Sequence, residues 1–251
     1  METSTKHDLV ESEYTKDLEI TLRNRASLAA NRNLLYWYEK LYRDQFRNLT
    51  DMASLNILEI GSGVSPLSRY YPTIRTSDVL QLDYLDYVFD CHQIDEFEPI
   101  AAQSLDALTL TNVLHHLKAP IDFLEKAAST LKPGGKLFAT EPYFSILSSP
   151  IYRFLHHEPL DFSITRPELA EVRGPLSSAN EALPTLIFKR PEWRARIERH
   201  FTFEPQVFRP YTALSYFATG GISRRLPIPH LLFRGLFAAD LCLSRLAPWL
   251  A

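Results

Sequence analysis

With 251 residues, 45% of them hydrophobic and 23% charged, the chain can bury one large α/β core and has the composition of an ordinary soluble protein. A net charge of −3 offers no general basic face for a polynucleotide, and two cysteines, Cys91 and Cys242, are too few for a disulfide framework and too far apart for a metal knuckle. A reducing, cytoplasmic setting is expected, since the opening METSTKHDLVESEYTKD is polar and no run of about 18 uncharged apolar residues reads as a membrane span.

Residues 1–19 carry little apolar content and read as a flexible N-terminus. From Leu22 to Leu49 the spacing becomes helical, with Leu34, Leu35, Tyr38, Leu41, Tyr42 and Phe46 recurring at three and four, so 20–53 reads as a helical extension. Between 54 and 141 short apolar runs alternate with helical stretches. The strand candidates are Leu55–Ile60, Ile74–Val79, Tyr87–Phe89, Leu105–Thr111 and Lys136–Glu141, with a helix over Pro120–Leu131 that Lys132-Pro133-Gly134-Gly135 stops. Uninterrupted apolar strands alternating with helices predict a parallel sheet covered on both faces.

After Glu141 a proline-rich stretch, 142–183, reads as a lid-like insertion. In the C-terminal part, 184–251, Thr185–Lys189 and Thr202–Phe208 read as late strands of an antiparallel extension, with a charged helix at 191–200 between them. The tail from Leu226 is apolar, interrupted by Arg234, Asp240 and Arg245. It could pack on the domain, form a homodimer contact, or meet lipid at a membrane surface; the charges disfavour a spanning helix.

In an open parallel sheet, ligands sit beyond the carboxyl ends of the strands. The first strand gives Glu59 near its end, followed by Gly61, Ser62 and Gly63, whose glycines let a backbone pass close to a ligand. Asp78, 17 residues past Gly61, is spaced to accept ribose hydroxyls. Asp90 and Cys91 follow the third candidate, Asn112 the fourth, and Glu141 the fifth; Asp83 and Asp86 rival Asp78 and Asp90. Glu59 would repel a pyrophosphate but favours a sulfonium or ammonium, and Pro66 removes an N–H that a phosphate would use, so a nicotinamide dinucleotide is disfavoured. Ser65 is placed to cap the helix that follows, with Pro66 in its first turn.

The stretches LEIGSG, SLDALTLTNVLHHL and LKPGGKLFATEP resemble the class I S-adenosylmethionine-dependent methyltransferases, in particular the small-molecule branch typified by ubiquinone and menaquinone biosynthesis, over roughly residues 54–145. The resemblance implies a Rossmann-like fold with a mostly parallel seven-stranded sheet and an antiparallel last strand. It implies S-adenosyl-L-methionine as cofactor, with Glu59, Gly61 and Gly63 around its methionine part and ribose, Asp78 on the ribose, Asp90 and Cys91 at the adenine, and Asn112 on the methionine side.

A histidine paired with a carboxylate can deprotonate an acceptor near neutral pH. His115, and His157 beside Glu158 in the insertion, are the candidates, while adjacent histidines rarely converge on one ion and no metal is expected. Arg153, Arg166, Arg173 and Asn180 could hold an anionic substrate or be merely solvated. The expected activity is methyl transfer to oxygen or carbon of a small molecule, lipophilic or sugar-linked. A non-catalytic binding or assembly protein on the same fold is the alternative.

Overall fold

The computed structural model describes residues 6–154, 158–204, 209–222, 224–247 and 249. Two helices open the chain, α1 (Lys6–Ala30) and α2 (Arg32–Gln45), separated by Asn31, whose side chain accepts the Leu34 amide and starts the second helix. The first is helical from Lys6, where the composition suggested a flexible segment. It lacks an apolar stripe and is held by polar contacts, which hydrophobic periodicity does not detect.

The core then runs β1 (Ile57–Ile60), α3 (Leu67–Tyr70), β2 (Arg75–Asp78), β3 (Tyr87–Val88), β4 (Leu105–Thr111), α4 (Pro120–Thr130) and β5 (Leu131–Thr140). The strands pair in the order β3-β2-β1-β4-β5, every pair parallel. Strand order reverses between β1 and β4, so the carboxyl ends of these two strands flank the natural ligand crevice. Side chains alternate faces along each strand: Leu58, Ile60, Leu108 and Leu110 join one apolar cluster, while Ile57 and Ala107 join the other. Both faces of β1 and β4 are therefore dry, which is why these two strands read as largely apolar runs. The Lys132–Gly135 stop lies inside β5, as an irregularity between the Leu131↔Leu105 and Lys136↔Ala107 pairs.

The insertion contributes α5 (Ser148–Phe154) and a long irregular segment, followed by α6 (Ala182–Lys189), α7 (Pro191–Glu198), α8 (Ser215–Ala218) and α9 (His230–Leu246). Among the described residues the sheet has five strands and no antiparallel extension. Thr185–Lys189, expected as a strand, belongs to α6: Ala182, Leu183, Leu186 and Ile187 are buried at helical spacing, and a short apolar run alone does not separate helix from strand. In the second expected strand, 202–204 are irregular and 205–208 lie outside the described residues.

Candidate functional site

A cavity of about 2080 Å3 opens beyond the carboxyl ends of the strands. Its floor is the turn after β1. Gly61 has φ 76°, and a β-carbon there would fall 2.4 Å from Val113 Cγ2. At Gly63 a β-carbon would lie 2.9 Å from Thr21 Cγ2 and 3.0 Å from Asp78 Oδ2. Asp78 accepts the Gly63 amide at 2.9 Å and the Leu80 amide at 3.0 Å, one on each oxygen, which leaves lone pairs for hydroxyls in the cavity it lines. Burial raises its carboxyl above the ordinary aspartate range.

Two residues expected at the ligand sit behind the loop instead. Glu59 is 1% exposed and does not line the cavity. Its Oε1 accepts from Ser65 at 2.5 Å and its Oε2 from Ser62 at 2.8 Å. Ser62 also turns inward, donating to Glu59 and accepting the Ser77 amide at 3.1 Å. Burial pushes Glu59 up to about 7, with the serine hydroxyls opposing the shift. β1 continues to Ile60, so a strand's alternation aims Glu59 into the protein rather than over its end. Ser65 does accept the Leu67 amide at the start of α3, with Pro66 one position earlier than expected, at the N-cap.

The sequence pattern gave no hint that α1 crosses this loop. Arg25 donates to the Gly63 carbonyl at 3.3 Å and lies 3.8 Å over the Tyr84 ring, whose hydroxyl donates to the same carbonyl at 2.7 Å. Eight residues earlier, Asp17 accepts the Leu176 and Ser177 amides from the insertion, at 2.8 and 3.2 Å. Thr21, between them, is buried against Gly63, and its Oγ1 has no partner among the described residues.

The remaining strand ends also meet the cavity. Asp90 caps the turn at Cys91–Gln93, and its hydrogen bond with His92 holds the carboxyl below its ordinary range. Cys91 is a buried free thiol pushed upward by burial, so it is no thiolate nucleophile. Both line the cavity; Asp83 and Asp86 do not, and Asp86 instead accepts the Thr76 amide at 2.7 Å. Asn112, just past β4, takes a left-handed φ of 57° that asparagine tolerates better than most side chains, and it too faces the cavity.

The other end of the cavity is electrostatic. His115, 3% exposed, donates from Nδ1 to Glu141 Oε2 at 2.7 Å, while Glu141 Oε1 accepts the Val113 and Leu114 amides at 2.9 and 2.8 Å. His115 Nε2 lies 3.4 Å from Glu158 Oε2. Burial alone would lower its pKa, but the Glu141 hydrogen bond and the nearby carboxylates carry it well above the ordinary range. Glu158 is depressed despite burial because His115 faces it; Glu181, buried and bonded to Glu158, is raised to about 8. His116 donates from Nδ1 to the Ser178 carbonyl at 3.0 Å and is pushed down to about 4 by burial and the charge of His115.

Thus the fold brings together two of the three expected proton-handling residues, His115 and Glu158, and adds Glu141 and Glu181. His157 lies outside the described residues. The donor atoms of His115, His116 and Glu158 lie within 4.8 Å of one another, but Nδ1 of each imidazole is already spent on protein. Three of the four polar groups suggested for an anionic substrate are used elsewhere, and Arg153 lies in a separate cleft. Asn180 bonds both backbone groups of Asp161, and Arg166 and Arg173 pair with Glu168 and Glu171 at the surface.

A family model described as a methyltransferase domain matches residues 13–176, more than half of the chain. No curated protein matches. Among solved structures, the chain resembles the trans-methyltransferase CalH in complex with SAH, at 20% identity and a TM-score of 0.31, over 39% of this chain and 34% of that one. It also resembles the CurJ carbon methyltransferase, at 18% identity and a TM-score of 0.36, over 52% and 42% of the two chains. A third is a putative methyltransferase from Bacillus halodurans C-125, at 17% identity and a TM-score of 0.33, over 62% and 64%. The chain thus spans about a third of CalH and under two thirds of the others, and none of these likenesses bears on the acceptor.

Proposed function

The chain belongs to the methyltransferase domain family, whose methyl donor is S-adenosylmethionine, and from that premise we propose that it methylates an oxygen or carbon of a small-molecule acceptor. Several features of this chain support the cofactor. Two glycines line the loop where side chains would intrude, and Asp78 keeps lone pairs free for ribose hydroxyls. The unpartnered Thr21 hydroxyl and Asn112 stand at the same end. Asp90 and Cys91 are proposed to face the adenine.

When bound, S-adenosylmethionine supplies an electrophilic methyl group on sulfur. The protein's part is to align the acceptor, exclude water and take its proton. His115 is proposed as the base: Glu141 fixes Nδ1 as a donor, so the lone pair of the neutral ring lies on Nε2, toward Glu158 and the cavity. At rest the carboxylates hold a proton on this ring. An acceptor that displaces Glu158 from its 3.4 Å contact removes one of those anions and lowers the hold on the proton. Glu141 then steadies the imidazolium formed on attack. This His115–Glu141 pair, at the junction of cofactor loop and lid, carries the proposal.

The test has two stages. Calorimetric titration with S-adenosylhomocysteine beside NAD should give binding of the first alone; failure of S-adenosylhomocysteine to bind overturns the proposal. Incubation with methyl-labelled S-adenosylmethionine and cell extract should then yield a labelled small molecule by mass analysis, and tight binding with no transfer would mark a non-catalytic binding protein.

A further inference from the structure

The most unusual surface outside the cavity is the outer side of α9. Its inner side is anchored: Phe233 and Phe237 are buried against Tyr36, and Asp240 accepts the amides of Ala213, Leu214 and Ser215. The outer side is apolar as well. Leu231, Leu232, Leu236 and Leu246 are 78%, 66%, 40% and 81% exposed, with glycine, alanine and Cys242 between them. At about 100° per residue these positions share one continuous arc. Arg234 and Arg245 border it and are the only charged residues exposed along the helix; Arg224 and Arg225 are exposed just ahead of it. From Arg209 onward the chain holds five arginines against one acid, the buried Asp240; Arg209 and Arg245 face Asp44 of α2 at 2.8 and 3.7 Å, which leaves Arg224, Arg225 and Arg234 to the outer surface. Three residues beyond α9, Trp249, 64% exposed, lines a cleft of about 500 Å3 with Ile146 and Phe154 of the insertion.

We infer that this face docks on the surface of an anionic lipid bilayer, the leucines and Trp249 entering the interface and the arginines meeting the headgroups. No described helix is long and apolar enough to cross a membrane, and the anchoring of Asp240, Phe233 and Phe237 keeps α9 on the domain, so it lies in the plane of the interface. A second copy of the chain is a poorer occupant: it would answer these arginines with the same face, where the neighbouring acid, Asp44, is already paired with Arg209 and Arg245.

Co-sedimentation of the full chain with vesicles tests this, using phosphatidylcholine alone and phosphatidylcholine with about 30% phosphatidylserine. The chain should pellet with the anionic vesicles and be released as salt is raised. L232E/L236E changes exposed side chains only. It should keep the melting temperature and S-adenosylhomocysteine binding while losing vesicle partitioning by about tenfold or more. R225E/R234E should lose the preference for phosphatidylserine by roughly fivefold per arginine. No pelleting with either vesicle, equal pelleting with both, or unchanged pelleting of L232E/L236E overturns the inference. So does a dimer in lipid-free light scattering that L232E/L236E converts to monomer, which would make the face a self-association surface. Docking does not require methyl transfer, so its failure and that of the proposed activity are separable.

Discussion

The two ends of the cavity are built on different principles. At the cofactor end each group sits within a few residues of a strand terminus: Gly61 and Gly63 after β1, Asp78 at the end of β2, Asp90 after β3, Asn112 after β4. These are mainly backbone turns and single acids, placed by the sheet itself. At the acceptor end, one imidazole gathers carboxylates from β5's terminus and from two separate points of the insertion, Glu158 and Glu181. The insertion is fastened there by backbone, through Asn180 N to the His115 carbonyl at 2.9 Å and Leu169 N to the Lys118 carbonyl. The proposed cofactor site is thus local geometry, whereas the proposed proton site is long-range electrostatics that exists only once the insertion has folded onto the sheet.

If the two ends are independent, damage to one should spare the other. The largest effect is expected from H115Q, which should lower kcat by about 10²–10⁴ while S-adenosylhomocysteine affinity stays within about twofold. A parallel loss of affinity would dissolve the distinction. The pH profile of kcat/KM sharpens it further. Because the folded pKa of His115 is raised and the base must be deprotonated, the rising limb should lie above the ordinary histidine range; E141Q should move that limb to lower pH and reduce the plateau. A limb that stays in place in E141Q would remove Glu141 from the mechanism.

Next in size is D78A. Loss of a carboxylate that holds the loop and is proposed to meet the ribose should weaken S-adenosylhomocysteine by about 10- to 100-fold in calorimetry. The pH position of the rate limb, read at saturating cofactor, should not move. E59Q gives the smallest effect, and it is one of stability. The folded pKa of Glu59, about 7, is above its ordinary 4.5, so the folded chain holds the proton more tightly and stability falls as pH rises through that window. E59Q should remove that pH dependence and exceed the native chain by on the order of 1–3 kcal/mol at pH values above about 7, read by denaturant melts. Native melts that are flat between about pH 4.5 and 7 would refute the buried-charge account.

The same contrast explains what could be read from the residues alone. Strands such as β1 and β4, buried on both faces, announce themselves as apolar runs, and the alternation they set up lets Asp78, Asp90 and Asn112 be placed at strand ends that line the cavity. Which way a side chain near a strand end points is not legible from its position in the chain, so Glu59 and Ser62 read as ligand groups although they brace the loop from behind. Glu181 and Asp17 leave no periodic trace, because each works through a contact made over many intervening residues. Thr185–Lys189 misled for the opposite reason: its apolar run is real, but five residues fit a buried helix as well as a strand.

Asp17 and Arg25 lie eight residues apart on one helix, about 12 Å along its axis. One end is latched to the lid at Leu176 and the other to the glycine loop at Gly63. A rod this short does not bend between its latches, so lid and loop share a crossbar. A displacement of α1 would therefore act on both contacts together.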